Sequence, residues 1–120
     1  MIAIAYTAIN RARDGKKWNG ETLREVILKP YQYSCFNEGD PNRKKLMDPE
    51  NYDARAWGIC RDIASRVLSG EFTDPTNGAT HYFNPLVVKP EWAEKMTRIG
   101  RIKTLRGLSK HEFYSCLLYT

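Results

Sequence analysis

The stretch Tyr31-Gln32-Tyr33-Ser34-Cys35-Phe36-Asn37 interleaves aromatic rings with hydroxyl and amide groups. Sugars are bound by that mixture, because their C–H faces stack on rings while their hydroxyls exchange hydrogen bonds. The same composition also suits an aromatic loop pinned onto a core, and pattern alone leaves both readings open. A second run, Gly78-Ala79-Thr80-His81-Tyr82-Phe83-Asn84, sets small residues ahead of a Thr-His-Tyr polar sequence. Adjacent imidazole and phenol groups can orient a substrate or hold a proton near neutral pH. The plainer alternative is a buried histidine satisfied by a backbone carbonyl, and it applies with more force to His111 in Lys110-His111-Glu112-Phe113-Tyr114. Cys35 beside Ser34 is a candidate nucleophile with His81 or His111 as its base, against the commoner role of cysteine as a small buried hydrophobe. Two histidines so far apart, with no spaced carboxylates, predict no metal site, and nothing in the sequence calls for a cofactor.

The elements that must position these residues are mainly helical. Ile2, Ala5, Ile9 and Tyr6 or Ala12 fall at helical spacing over Met1 to Arg13, with Asp14-Gly15 as the stop. No Ser, Thr, Asp or Asn precedes Ile2 to cap that helix. Trp18-Asn19-Gly20 reads as a turn, and Thr22-Leu23-Arg24-Glu25 matches a capping box that opens a two-turn helix closed by Pro30. Tyr31 to Met47 has no clear period and reads as a long loop. Asp48-Pro49-Glu50 opens a helix expected to run unbroken to Gly70, with Tyr52, Ala56, Ile59 or Cys60, Ile63 and Val67 inward and Arg55, Arg61, Asp62 and Arg66 outward. Pro90 to Met96 reads as a short helix started by proline. Strand-like segments at Arg98 to Leu105 and His111 to Leu118, joined by Arg106-Gly107-Leu108-Ser109, predict a terminal β-hairpin. The sum is a mainly helical α+β fold.

Size and charge bound what this fold can do. With 120 residues, about two-thirds of the unfolded surface can be buried, enough for one core and too little for a separate substrate domain. Nineteen basic residues against fourteen acidic give 19 − 14 = +5 and a pI of about 9.2. This fits an anionic partner without choosing among nucleic acid, lipid headgroups and cell-wall polymers. Positive patches at Lys16-Lys17, Arg43-Lys44-Lys45 and Arg98 to Arg106 suit phosphates or simply a solvated surface. No run nears the ~20 apolar residues of a membrane span and no basic lead segment opens the chain, so cytoplasmic synthesis without a signal peptide is expected. Three well-separated cysteines, Cys35, Cys60 and Cys116, predict reduced, mostly buried thiols rather than a disulfide framework.

Five of these pieces resemble, in order, the SleB-type cell wall hydrolases, a group that includes spore-cortex-lytic enzymes and phage endolysins. Ile2-Ala3-Ile4-Ala5 to Ala8-Ile9-Asn10-Arg11 is similar to the family's "AVAxVxLNR" helix, and Tyr33-Ser34-Cys35-Phe36-Asn37 to its "FSCWN". Gly78-Ala79-Thr80-His81-Tyr82 resembles "GATHYH", Pro90-Glu91-Trp92-Ala93 follows, and His111-Glu112-Phe113-Tyr114 resembles the "GxHxFY" end. The resemblance spans nearly the whole chain. It implies a small lysozyme-like single domain over residues 1–120 that cleaves the β-1,4 bond between N-acetylmuramic acid and N-acetylglucosamine in peptidoglycan, as a muramidase or a lytic transglycosylase. One protonated glutamic acid in an aromatic-lined cleft would serve that chemistry, instead of the usual pair of carboxylates.

In the family that glutamate lies in a "GEARGE"-type segment upstream of the first helix, and no position of this chain matches it. The expectation is therefore a domain shortened at its N-terminus relative to the family, with the catalytic residue unassigned. Three explanations stand: a start placed too far downstream, a segment supplied by another chain, or a catalytically depleted relative that keeps glycan affinity. Glu38 is the one nearby acid to weigh as a replacement, although an exposed glutamate is normally ionised. Phe36 stands where the family favours Trp, Phe83 where it often has His, and the Gly107 to His111 spacing is stretched. The resemblance implies peptidoglycan glycan strands as partner, a phage or bacterial origin and action on the bacterial cell wall. Its substrate-binding residues would be Ser34, Phe36, Asn37, Thr80, His81, Tyr82 and Trp92. The alternative is a basic structural or interaction module, a virion component or a nucleic-acid binder.

Overall fold

The computed structural model describes residues 1–14, 20–30 and 32–115. The chain forms two compact units, Met1–Asn10 with Thr73–Thr120, and Arg11–Phe72. The expected turn at Trp18-Asn19, the pair Lys16-Lys17, Tyr31, Cys116 and the last part of the tail strand lie outside the described residues. Among those described are five α-helices, two 3-10 turns and five short strands, an α+β fold.

In the first unit, most of helix α1 (Ile2–Arg13) lies against a small sheet. Up to Asn10 its buried positions are Ala3, Tyr6, Thr7 and Ala8, whereas Ile2, Ala5 and Ile9 are only half-buried. Tyr6 is inward as expected, and the rest of the inward face is turned from the expected one. Small side chains make the closest approach: Ala3 packs with Ala79 and Phe113, and Ile4, Tyr82, Ile99 and Ile102 lie around that cluster.

The sheet joins β1 (His81–Phe83), β2 (Thr97–Gly100) and β5 (Glu112–Ser115), with β5 in the middle and antiparallel to both neighbours. Phe113 faces Tyr82 across one pair and Gly100 across the other. The β2 register shifts between Arg98 and Gly100, where Gly100 takes φ +95°, a conformation that side-chain-bearing residues rarely adopt. The terminal hairpin is present, but its tip differs from expectation. β3 (Lys103–Thr104) pairs with β4 (Gly107–Leu108) around Leu105-Arg106, inside the longer β2–β5 pairing.

The second unit is helical. The capping box opens α2 (Leu23–Leu28): the Glu25 N–H donates to the Thr22 hydroxyl at 3.2 Å, and the Glu25 carboxylate accepts from the Thr22 N–H. Thr22→Ala is expected to cost about 1 kcal/mol in urea unfolding. The long loop is less irregular than its composition suggests, since Ser34–Phe36 forms a 3-10 turn against which α3 (Arg43–Met47) packs.

The helix expected to be unbroken from Asp48 divides at Asp53 into α4 (Pro49–Tyr52) and α5 (Ala54–Leu68). Asp53 is extended, and its carboxylate accepts the Ala56 N–H at 3.0 Å, so its side chain starts a new helix in place of continuing the old one. α5 ends as expected at Gly70, whose φ of +79° lets the Gly70 N–H reach the Val67 carbonyl and the Glu71 N–H the Arg66 carbonyl.

The α5 stripe is a further correction. Of its expected inward residues only Val67 is buried, while Ile59 and Cys60 are exposed, as is Tyr52 on α4. Helical period fixes which side chains share a face, not what covers that face. The exposed face holds as expected: Arg66 pairs with Asp62 and Glu71. Neither Cys35, half-buried, nor exposed Cys60 forms a disulfide, so the expectation of mostly buried thiols fails at Cys60.

Candidate functional site

Residues expected at the site occur in both units. In the first, α1 ends its share of the unit at Asn10, whose side-chain amide donates to the Asp74 carboxylate and to the Ala79 carbonyl, both at 2.8 Å. Asp74 in turn accepts from the Thr76 N–H, the Thr76 hydroxyl and the Gly78 N–H, all within 2.8 Å. Burial opposes its ionisation, but these donors together outweigh it and hold the carboxyl below the usual carboxylate range. Asn10 and Asp74 thereby fix the turn that delivers Thr80 and His81 into β1.

Thr80 is buried, and its hydroxyl shares a 2.9 Å hydrogen bond with Nδ1 of His81, in a direction set by the imidazole tautomer. Alternation along β1 then separates neighbours. Tyr82 turns toward the core, edge-on to His111 at 5.2 Å and tilted against Phe113 at 6.1 Å. His81 and Phe83 point the other way, edge-on to Trp92 at 5.0 and 5.6 Å, and Tyr114 stacks on Phe83 at 5.3 Å. Trp92, in the 3-10 turn Glu91–Lys95, also meets Tyr114 edge-on at 5.6 Å. Four rings therefore form one cluster with the imidazole at its margin. Phe83 and Tyr114 are buried, so the accessible part of the cluster is the half-buried indole of Trp92 beside the held imidazole.

Phe83 and Tyr114 extend the cluster into a cavity of about 250 Å³, shared with Val88, Ala93, Glu94 and Glu112. The Glu112 carboxylate is engaged by Arg98, whose Nε donates at 2.9 Å. Sequence reasoning missed Phe83 and Tyr114 as ring neighbours of Trp92, and Glu94 and Glu112 as neighbours of those two rings. The usable signal was the alternation of Glu112-Phe113-Tyr114 once paired with His81-Tyr82-Phe83.

His111 is half-buried, and burial pushes its imidazole below its ordinary range. The stabilisation from Asp74 is complete above the unfolded carboxylate value of about 3.9 and is lost as pH falls through its lower folded value. Since His111 binds its proton less readily when folded, stability also declines as pH drops below about 6.5. The melting temperature is expected to fall in two steps on acidification, and His111→Gln should remove the upper one.

In the second unit, Arg11 is buried with its guanidinium over the Tyr33 ring at 5.5 Å. Tyr33 leads into the Ser34–Phe36 turn, closed by the Phe36 N–H on the Tyr33 carbonyl and the Asn37 N–H on the Ser34 carbonyl. Ser34 is exposed, and Phe36 and Asn37 are half-buried. Cys35 shares the turn. Its burial, with a smaller contribution from Asp40, outweighs a backbone hydrogen bond and pushes the thiol pKa up, which disfavours a nucleophilic thiolate. Glu38 lies exposed just beyond. Among the described residues no three His, Cys, Asp or Glu side chains are placed to hold a metal ion, and no helix is long and apolar enough to cross a membrane.

The α+β arrangement with this aromatic cluster belongs to a recognisable class. The Cell Wall Hydrolase family model matches residues 1–114, and the chain belongs to that family. Among solved structures it is similar to the catalytic domain of the germination-specific lytic transglycosylase SleB from Bacillus anthracis. That likeness has a TM-score of 0.59 at 22% identity and covers 95% of this chain and 76% of the other, a likeness of fold. No curated protein matches the chain.

Proposed function

We propose that this chain engages peptidoglycan glycan strands, the first unit through Thr80, His81, Tyr82 and Trp92 and the second through Ser34, Phe36 and Asn37. Membership of the cell wall hydrolase family supports the substrate class. The observation that carries the reading is the Thr80–His81–Trp92 constellation, an imidazole held by a hydroxyl at 2.9 Å and set 5.0 Å from an indole. A pyranose needs a ring surface for its C–H face and a fixed polar group for its hydroxyls. The roles differ along the motif. His81 and Trp92 contact the sugar, Thr80 sets the imidazole, and Tyr82 bears the rear of the strand with its ring edge-on to His111. Asn10 holds the turn before Thr80.

These residues are assigned binding, orientation and exclusion of water, with proton donation left to a glutamic acid that the family's chemistry requires. The cleaved bond is the muramoyl β-1,4 linkage, with the muramoyl 6-hydroxyl or water as the attacking group. The experiment is incubation of the chain with purified cell walls, followed by sedimentation and by mass spectrometry of released fragments. Sedimentation with walls is expected in every case. Fragments carrying 1,6-anhydromuramic acid assign the transglycosylase outcome and reducing muramic ends the hydrolase, while binding without release assigns a catalytically depleted relative. Neither binding nor release would overturn the reading.

A further inference from the structure

The sheet of the first unit carries two projections that the glycan site does not use. Because β1 and β2 both run antiparallel to β5, their C-terminal ends lie at the same edge, where Phe83 and Gly100 flank the start of β5. From that edge leave the loop after Phe83 and the segment containing the β3–β4 hairpin. Both have apolar tips in water: Leu86 is 84% exposed, Val87 79%, Leu105 107% and Leu108 62%.

These tips are held by hydrogen bonds within each loop. Asn84 accepts the Leu86 N–H on its side chain at 3.0 Å and the Val87 and Val88 N–H groups on its carbonyl. In the hairpin, the Thr104 hydroxyl donates to the Gly107 carbonyl at 2.7 Å and accepts the Arg106 N–H. Ordered loops that display leucine and valine to water are unusual for a surface with no partner. Within both segments the charges are of one sign, while Lys89 also shares a cavity with Glu94 and with the Arg98-paired Glu112. Residues 84–89 and 101–110 hold Lys89, Arg101, Lys103, Arg106 and Lys110 and no acid.

We infer that this edge of the sheet is a docking surface for an anionic lipid bilayer, with the leucine and valine tips entering the interface and the Lys and Arg flanks lying at the headgroup phosphates. Basic residues near an anionic membrane gain attraction, and exposed aliphatic side chains gain by leaving water. A soluble polyanion satisfies the flanks equally well but offers nothing to the tips, and the tips favour the lipid. This surface is independent of the glycan reading and stands or falls separately.

The test is sedimentation of the full chain with vesicles of phosphatidylglycerol and phosphatidylcholine in equal parts, beside vesicles of phosphatidylcholine alone. The chain is expected to sediment with the first and not the second. Leu86→Ser with Leu105→Ser should lower the partition coefficient at least about tenfold, and Lys103→Gln with Arg106→Gln about twentyfold at low salt. Circular dichroism checks that each variant folds, and Val87→Ser with Leu108→Ser replaces the first pair if it does not. Failure to sediment with anionic vesicles would overturn the inference. So would undiminished binding by folded leucine variants, or binding to inorganic polyphosphate alone, both of which assign the surface to a soluble polyanion.

Discussion

Trp92→Ala is expected to weaken binding to purified peptidoglycan at least about tenfold, a loss of roughly 1.4 kcal/mol. The indole contacts three rings edge-on, His81, Phe83 and Tyr114, at 5.0 to 5.6 Å. Removing it takes away a stacking surface and also the wall against which the imidazole rests. Trp92→Phe keeps a ring and should recover part of the affinity, which separates lost ring contact from a general loosening of the 3-10 turn. His81→Ala should leave the aromatic cluster standing and still weaken binding, because the hydroxyl-held imidazole is what fixes the sugar's orientation. Wall binding by Trp92→Ala at the level of the unchanged chain would show that the aromatic cluster serves the fold alone.

Phe113→Ala is expected to have the largest effect on stability, about 3 kcal/mol or more by urea unfolding. Phe113 is 2% exposed, packs with Ala3 and Ala79, and sits on the central strand between Tyr82 and Gly100. A small domain commonly holds only 5–15 kcal/mol in all. The loss would therefore leave the sheet, and with it His81, close to unfolding at physiological temperature. Phe113→Leu fills most of the volume and should retain most of the stability.

How much of this was legible beforehand depended on whether the signal was local. The start of α2 was readable because Thr22 and Glu25 answer each other's backbone within one turn, and the end of α5 because glycine alone takes the left-handed residue at position 70 without strain. The division at Asp53 was missed because an aspartate within an apolar period reads as one polar position. Its side chain instead competes for the Ala56 N–H and restarts the helix. β1 was missed because three residues cannot display a period; His81–Phe83 is a strand only because β5 lies beside it. On α1 the period places Tyr6 inward correctly, but it does not distinguish the Ile2-Ala5-Ile9 stripe from the neighbouring one. Ala3 and Thr7 allow the closer approach and are buried as well.

For the site, residue type pointed to Thr80, His81, Tyr82 and Trp92, and the contact of His81 with Trp92 joins two motifs eleven positions apart in sequence. The opposite orientations of His81 and Tyr82 were not legible, since alternation begins only where a strand is recognised. Nor were the carboxylates beside Phe83 and Tyr114, since Glu112 is placed by the β1–β5 register and Glu94 by the 3-10 turn that carries Trp92.

The claim on which the proposed function rests is that the Thr80–His81–Trp92 constellation contacts the glycan. Titration of the isotope-labelled chain with a soluble peptidoglycan tetrasaccharide, followed by amide and ring chemical shifts, tests it most directly. Shifts at His81 and Trp92 that share a single midpoint are predicted. No shift at either residue, or a distinct midpoint for each, would contradict it.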